Sequence, residues 1–229
     1  MIFKRRSFIT FALLATAATR AQACDVPDAT VMKIQDKLAS VVARSDANGG
    51  IFKPNRMWSA IVDRKGVLCS VVSVGDAWPG SRAIAIAKAG TANDFSNDAL
   101  ALSTANLYAA TQPGGSLYGL NNSNPFNPAD LVQKTGGDPS IGQTPGGIIT
   151  FGGGLALYQG GKVIGGLGVS GDSSCADHAI AWRMRKIAGF DKIPAGAGLN
   201  GTDNIVYAKA GTAPTGFEQP HCFPSDITP

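Results

Sequence analysis

Four side chains in the C-terminal part of this chain could bind a metal or form a crosslink. Cys175 and His178 stand three residues apart, and His221 and Cys222 are adjacent; His178 and His221 are the only histidines. Two thiolates and two imidazoles make a tetrahedral zinc set if the end of the chain folds back onto Cys175. The same sulfurs could instead pair as a Cys175–Cys222 disulfide, which an exported chain favours over zinc. Cys69, inside Val67-Leu68-Cys69-Ser70-Val71, reads as a small buried strand residue without a partner. Either histidine could ligate a haem iron. No Cys-x-x-Cys-His occurs, so ordinary c-type attachment is not expected. Ser103 shows no positioned base that would make it a nucleophile. Asp63 reads as a turn-shaping residue. The glycine runs Gly152–Gly154 and Gly165–Gly171 lack the Walker spacing and its Lys-Ser/Thr, so close backbone packing explains them better than phosphate binding.

These residues need elements to hold them. Lys162 to Ser170 alternates apolar and very small residues, as in a closely packed strand. Gly171 and Asp172 break it, and Asp172 or Ser173 can cap a following helix that runs to about Ala188. On that helix Ala176, Ile180, Met184 and Ile187 form the apolar stripe, which leaves Cys175, His178 and Trp182 on a different, less buried side. Asp28 to Arg44 reads as one helix capped by Asp28. Trp58–Val62 and Val67–Val74 read as a hairpin around Asp63-Arg64-Lys65-Gly66. Ser81 is expected to cap a helix of small residues, and 99–110 to form a second. Residues 111–146 are a long irregular insert, a length usually tied to binding or to an interface. Gly147–Phe151 and Leu155–Tyr158 complete the strands. The order of elements suggests an α+β domain, a mainly antiparallel sheet covered by helices on both faces.

The first residues set the compartment. MIFKRRSFITFALLATAATRAQAC has a basic start, an apolar run from Phe8 to Ala17 and Ala21-Gln22-Ala23 before Cys24. That is the pattern of a signal peptide over 1–23, and Arg5-Arg6 resembles a twin-arginine signal. The run is too short for a permanent anchor, which takes about 20 apolar residues. Lys4, Arg5, Arg6 and Arg20 leave with the signal, so the net +4 falls to zero. The mature chain therefore has no cationic excess pointing to nucleic acid or an anionic membrane. The domain is expected over 24–188, with 189–229 an extended tail packed on it. The expected location is periplasmic or secreted.

Several separated blocks resemble one family. They are Ile61-Val62-Asp63-Arg64-x-Gly66, Ser81-Arg82-x-Ile84-Ala85-x-Ala87-Lys88-Ala89-x-Thr91-Ala92 and Leu102-Ser103-Thr104-Ala105-Asn106-Leu107. Gly153-Gly154-Leu155-x-Leu157-Tyr158 and Gly165-x-x-Gly168-Val169-Ser170-Gly171 come after them in order. Together they resemble the GlcG/HbpS-like family of haem-binding and haem-degrading-like domains, over about Val31 to Ala188. The resemblance implies a profilin-like α/β/α fold with a five-stranded antiparallel sheet. It also implies a homo-oligomer and, in some members, binding of haem, cobalamin or another small molecule. The polar residues of these blocks suggest a pocket among Arg82, Lys88, Ser103, Gly153, Ser170 and Gly171, in which Arg82 and Lys88 could hold a ligand carboxylate; His178, outside the blocks and off the apolar stripe of its helix, is the best available axial ligand if haem binds. The reading is an exported haem- or small-molecule-binding protein without catalysis. The alternatives are a haem-degrading or redox accessory enzyme and a purely structural oligomer.

Export should stop in a strain lacking the twin-arginine translocase, with precursor retained in the cytoplasm. Normal amounts of processed protein outside the cytoplasm of that strain would overturn the route.

Overall fold

The computed structural model describes residues 23–52, 56–131 and 138–229. The expected signal segment, except Ala23, and part of the long insert lie outside them. Four strands form one antiparallel sheet: β1 Met57–Asp63, β2 Leu68–Val74, β3 Gly154–Gln159 and β4 Lys162–Ser170, in the order β2-β1-β4-β3. Alternation sorts β1 to both faces. Met57 and Ile61 join one core, with Leu155, Leu157, Leu167 and Val169. Ala60 and Val62 join the other. Helices α1 Asp28–Gln35, α2 Leu38–Val42 and α5 Ser174–Ala188 cover the first face, and α3 Pro79–Asp94 covers the second. Helix α4, Tyr108–Thr111, is a single turn within the connection to the insert. Among the described residues no helix is long and apolar enough to cross a membrane.

The resemblance implied five strands, and the sheet has four. Residues 147–151 lack a strand partner because their backbone bonds elsewhere. Gly147 N–H donates to the Asn124 carbonyl and Ile149 N–H to Thr91 Oγ1. Positive φ at Gly146 and Gly147 turns the chain away from the sheet.

The helix read over 28–44 is two helices. Its chain tightens where Lys37 N–H donates to the Ile34 carbonyl, three residues back. Pro27 precedes the first turn, so Asp28 is a first-turn acid and not the cap. Likewise α3 starts at Pro79 after Trp78, ahead of the expected Ser81 cap; proline at the first helical position gives up an N–H that would be unpaired there anyway. Most of the helix expected over 99–110 does not form. Ala101 N–H donates to the Ala195 carbonyl, Thr104 N–H to the Gly154 carbonyl, and Asn106 Oδ1 accepts from Ser103 N–H. Two distant carbonyls and one local side chain take the groups a helix would have used.

The helix of small residues explains the glycines of β4. A Cβ at Gly166 would overlap the Ala89 carbonyl oxygen, and one at Gly168 the Ala85 carbonyl oxygen. Helix α3 therefore lies against bare strand backbone, with Ala85 and Ala89 fully buried. Gly166→Ala should lower stability by about 3 kcal/mol, because backbone must move to admit the methyl. Gly90→Ala, inside α3 with open space at its Cβ, should raise it by about 0.5–1 kcal/mol. Urea unfolding curves check the pair; equal midpoints for the two variants would refute the close-packing argument.

Candidate functional site

The end of β4, the start of α5 and the middle of α3 meet at a buried corner. Ser173 caps α5 by accepting from Ala176 N–H. One turn on, Asp177 Oδ1 accepts from the N–H groups of Gly171 and Asp172. Its Oδ2 lies 2.7 Å from Lys88 Nζ, which also donates to the Val169 carbonyl at 3.0 Å. Lys88 Nζ sits 4.9 Å from the Phe151 ring centroid. Both charged groups are buried. Desolvation, opposed by their mutual attraction, pushes Lys88 down and Asp177 up to about 6. Gly153, at φ +123°, makes room: a Cβ there would stand 2.8 Å from Lys88 Nζ.

Of the residues assigned to a pocket, this corner gathers Lys88, Gly153, Ser170 and Gly171. Lys88 is sealed and engaged by Asp177, so it does not present a cation to a ligand. Arg82 lies elsewhere. It donates to the Leu131 carbonyl, to Ser140 Oγ and to Asp138, and so fastens the insert. Ser103 Oγ donates to Asn106 Oδ1, and Asn106 Nδ2 in turn donates to the Asn204 carbonyl.

The side of α5 carrying Cys175 and His178 is buried, contrary to the sequence reading, because the tail covers it. His178 is fully buried. Its Nε2 accepts from Ile205 N–H at 3.1 Å, with Asn204 Oδ1 also 3.1 Å away. Burial is the largest influence on its pKa and lowers it to about 4, so the imidazole is neutral at physiological pH. Trp182 stacks on it with ring centroids 6.2 Å apart.

Sequence reasoning missed two anchors of this cover. Arg185 makes a buried bidentate pair with Asp203 at 2.6 and 2.7 Å. Gln219 accepts from Gly152 N–H and donates to Ser174 Oγ. The spacing of His178 and Arg185, two turns apart on one helix side, is the one signal that could have exposed a polar inner face there.

All four cysteines are paired. The sulfurs of Cys175 and Cys222 are at bonding distance, and Cys69, read as unpaired, joins Cys24. The Cys2His2 zinc set is not assembled: its two cysteines bond to each other and His178 is committed to the tail. His221 remains accessible. Its ring stacks on Tyr207 at 4.1 Å and its Nδ1 lies 3.5 Å from Asp226 Oδ2. It borders a groove of about 430 Å³ together with Tyr108, Phe151, Ser174, Gln219, Pro220 and Cys222. An imidazole thus stands beside aromatic and apolar faces, an arrangement suited to ligating a flat metal-bearing ligand.

A family model described as haem degrading protein HbpS-like matches residues 38–185. The corrinoid adenosyltransferase PduO of Citrobacter freundii is 34% identical over 122 residues, which are 53% of this chain and 29% of that protein. The chain therefore spans less than a third of that curated relative's length. A solved structure of PduOC in complex with haem is 27% identical, with a TM-score of 0.50, covering 71% of this chain and 94% of that one. Klebsiella pneumoniae protein ORFY shares the fold at 23% identity and a TM-score of 0.53, covering 75% of this chain and 95% of its own.

His178 gives a pH prediction. It is neutral when folded, and once unfolded it takes up a proton near pH 6.5. Its contribution to stability is therefore present above the unfolded pKa and is lost as pH falls toward about 4. The stability advantage of wild type over His178→Gln should shrink by about 2 kcal/mol between about pH 7.5 and about pH 5. Urea denaturation at the two pH values measures it, and a constant difference would refute the neutral buried imidazole.

Proposed function

The chain belongs to the HbpS-like family, and from that membership we propose that it is a haem-binding protein whose ligand occupies the His221 groove. The observation that carries this reading is the contrast between the two histidines. His178 is sealed and its Nε2 is engaged by the tail. His221 is about half exposed and has no close hydrogen bond to its Nε2 among the described residues. A carboxylate beside the other ring nitrogen is a common support for a metal-ligating histidine. The residues present fit the group in three ways: an accessible imidazole, the aromatic faces of Tyr108 and Phe151, and the apolar edge of Pro220. Haem would supply an iron able to take the His221 imidazole as a ligand.

The chain's own residues do the rest. Asp226 and Tyr207 hold the His221 ring in place, and Gln219 fixes the groove wall to the first turn of α5. The haem complex of PduOC supports the ligand class. The PduO relative acts on corrinoids, which are also metal-bearing tetrapyrroles, so cobalamin is the second ligand to try. The buried Lys88, Asp177 and His178 bond to protein groups and do not reach the groove, which favours binding over catalysis. The proposal includes export to an oxidising compartment, where paired cysteines persist, and assembly into a homo-oligomer.

Haem titrated into His221→Ala should bind about tenfold or more weakly than into wild type, with a shifted Soret band. His178→Ala should retain the wild-type spectrum. An unchanged band and affinity in His221→Ala would remove the assignment, and loss confined to His178→Ala would move the ligand to the covered face.

A further inference from the structure

Two cysteine pairs in the fold each have a carboxylate beside them. Ligand atoms of Cys175, Cys222 and Asp226 all lie within 4.8 Å of one another, and the same is true of Cys24, Cys69 and Asp63. The two clusters differ in what their carboxylates do. Both oxygens of Asp63 are taken: Oδ1 accepts from Lys65 and Val67 N–H, and Oδ2 from Asp25 N–H. The side chain of Asp226 is fully buried. Its Oδ2 accepts from Cys222 and Phe223 N–H, but its buried Oδ1 has no partner among the described residues. An unsatisfied buried carboxylate oxygen costs free energy unless something else uses it.

The surroundings of the sulfurs suit thiolates. Gln219 Nε2 lies 3.5 Å from Cys175 Sγ and 4.0 Å from Cys222 Sγ. Ser174 Oγ lies 3.3 Å from Cys222 Sγ. Donors aimed at sulfur gain most when the sulfur is anionic. We propose that the reduced form of this pair is a zinc site, with Cys175, Cys222 and Asp226 as protein ligands and water in the fourth position. The site is distinct from the Cys2His2 set suggested by spacing, since neither histidine is a ligand, and it does not depend on haem binding.

The step balances. A dithiol reductant gives two electrons to the Cys175–Cys222 bond and closes into its own disulfide, leaving two thiols. Those thiols lose two protons as zinc binds. The sulfurs must then part to about 3.8 Å, the separation set by Zn–S bonds of about 2.3 Å in a tetrahedron. Cys222 borders the groove, and from disulfide bonding distance the sulfurs need to part by less than about 2 Å. The crosslink and the metal are thus alternative ways of tying the tail to α5, chosen by thiol redox state.

The full-length mature chain is reduced with a dithiol, which is then removed under anaerobic conditions, and titrated with Co2+ as a probe. One equivalent should produce thiolate-to-cobalt charge-transfer absorption, which Zn2+ then bleaches. The oxidised chain should show none. In the reduced chain Zn2+ should protect Cys175 and Cys222 from iodoacetamide at least about tenfold over Cys24 and Cys69, read by peptide mapping. Asp226→Asn should weaken Zn2+ at least about tenfold. His221→Ala should retain the cobalt spectrum, which separates this site from haem ligation. No charge-transfer band, equal protection of both pairs, or undiminished affinity in Asp226→Asn would each overturn the proposal. If both pairs reduce but the variant does not refold, absence of the band in reduced wild type remains decisive.

Discussion

The close approach of α3 to the bare backbone of β4 is the constraint on which most other contacts of the domain depend. Ala85 and Ala89 carbonyls occupy the space that side chains at Gly168 and Gly166 would need. A helix this near the sheet has no room to send a long side chain out past it. Lys88 points into the interior and must be neutralised there, and Asp177 at the start of α5 does so. The requirement then spreads. Asp177 needs the Gly171 and Asp172 amides, and the contact needs the empty Cβ position at Gly153. One steric constraint therefore ties both helical layers to the sheet through a charge pair. Such a pair contributes little net stability compared with an apolar filling, but removing one member strands the other at a cost of about 3–5 kcal/mol.

The tail obeys a different logic. Beyond Phe190, Ile205 and Ala208 it buries little apolar surface, and besides the Cys175–Cys222 link it is held by polar contacts: Arg185 with Asp203, His178 with Ile205, Gln219 with Gly152. Hydrogen-bonded charges in a low-dielectric interior demand a fixed geometry, so they specify one position for the tail better than greasy contact would. This cover decides which histidine meets solvent, and hence where a metal-bearing ligand can reach the protein.

Much of the fold is legible in the sequence, where period and punctuation agree. The alternation of Lys162–Ser170, the Gly171-Asp172 break and the Ser173 cap locate β4 and α5 within a residue or two. The hairpin around Asp63–Gly66 is equally clear. The misreadings share a cause. Residues 99–107 and 147–151 have acceptable local patterns, but the amides of Ala101, Thr104, Gly147 and Ile149 bond to groups far away in the chain. Nothing local distinguishes Ala101 N–H bound to Ala195 from a helical one. Periodicity puts His178 on the open side of α5 because its cover, Asn204 and Ile205, lies in a stretch with no periodicity of its own. Cys24 and Cys69 give no spacing signal for pairing. The accessible His221 is visible as a candidate, but its advantage over His178 depends on burial, which spacing alone does not report.

The order of these contacts along the chain bears on how the protein is made. The sheet and its helices are complete by Ala188, yet Asp203, Ile205, Gln219 and Cys222 come after it. A chain emerging from the ribosome reaches a stage at which α5 has arrived but Arg185 has only the Ala156 carbonyl and no carboxylate to face it. Arg185 and His178 must stay partly hydrated until Asp203 and Ile205 arrive, so α5 cannot settle fully before then. Completion of this side of the core is in this way deferred until residues through Cys222 have been made, and a product cut short near Gly189 would present a wet, cationic helix face to the cell's quality-control proteases.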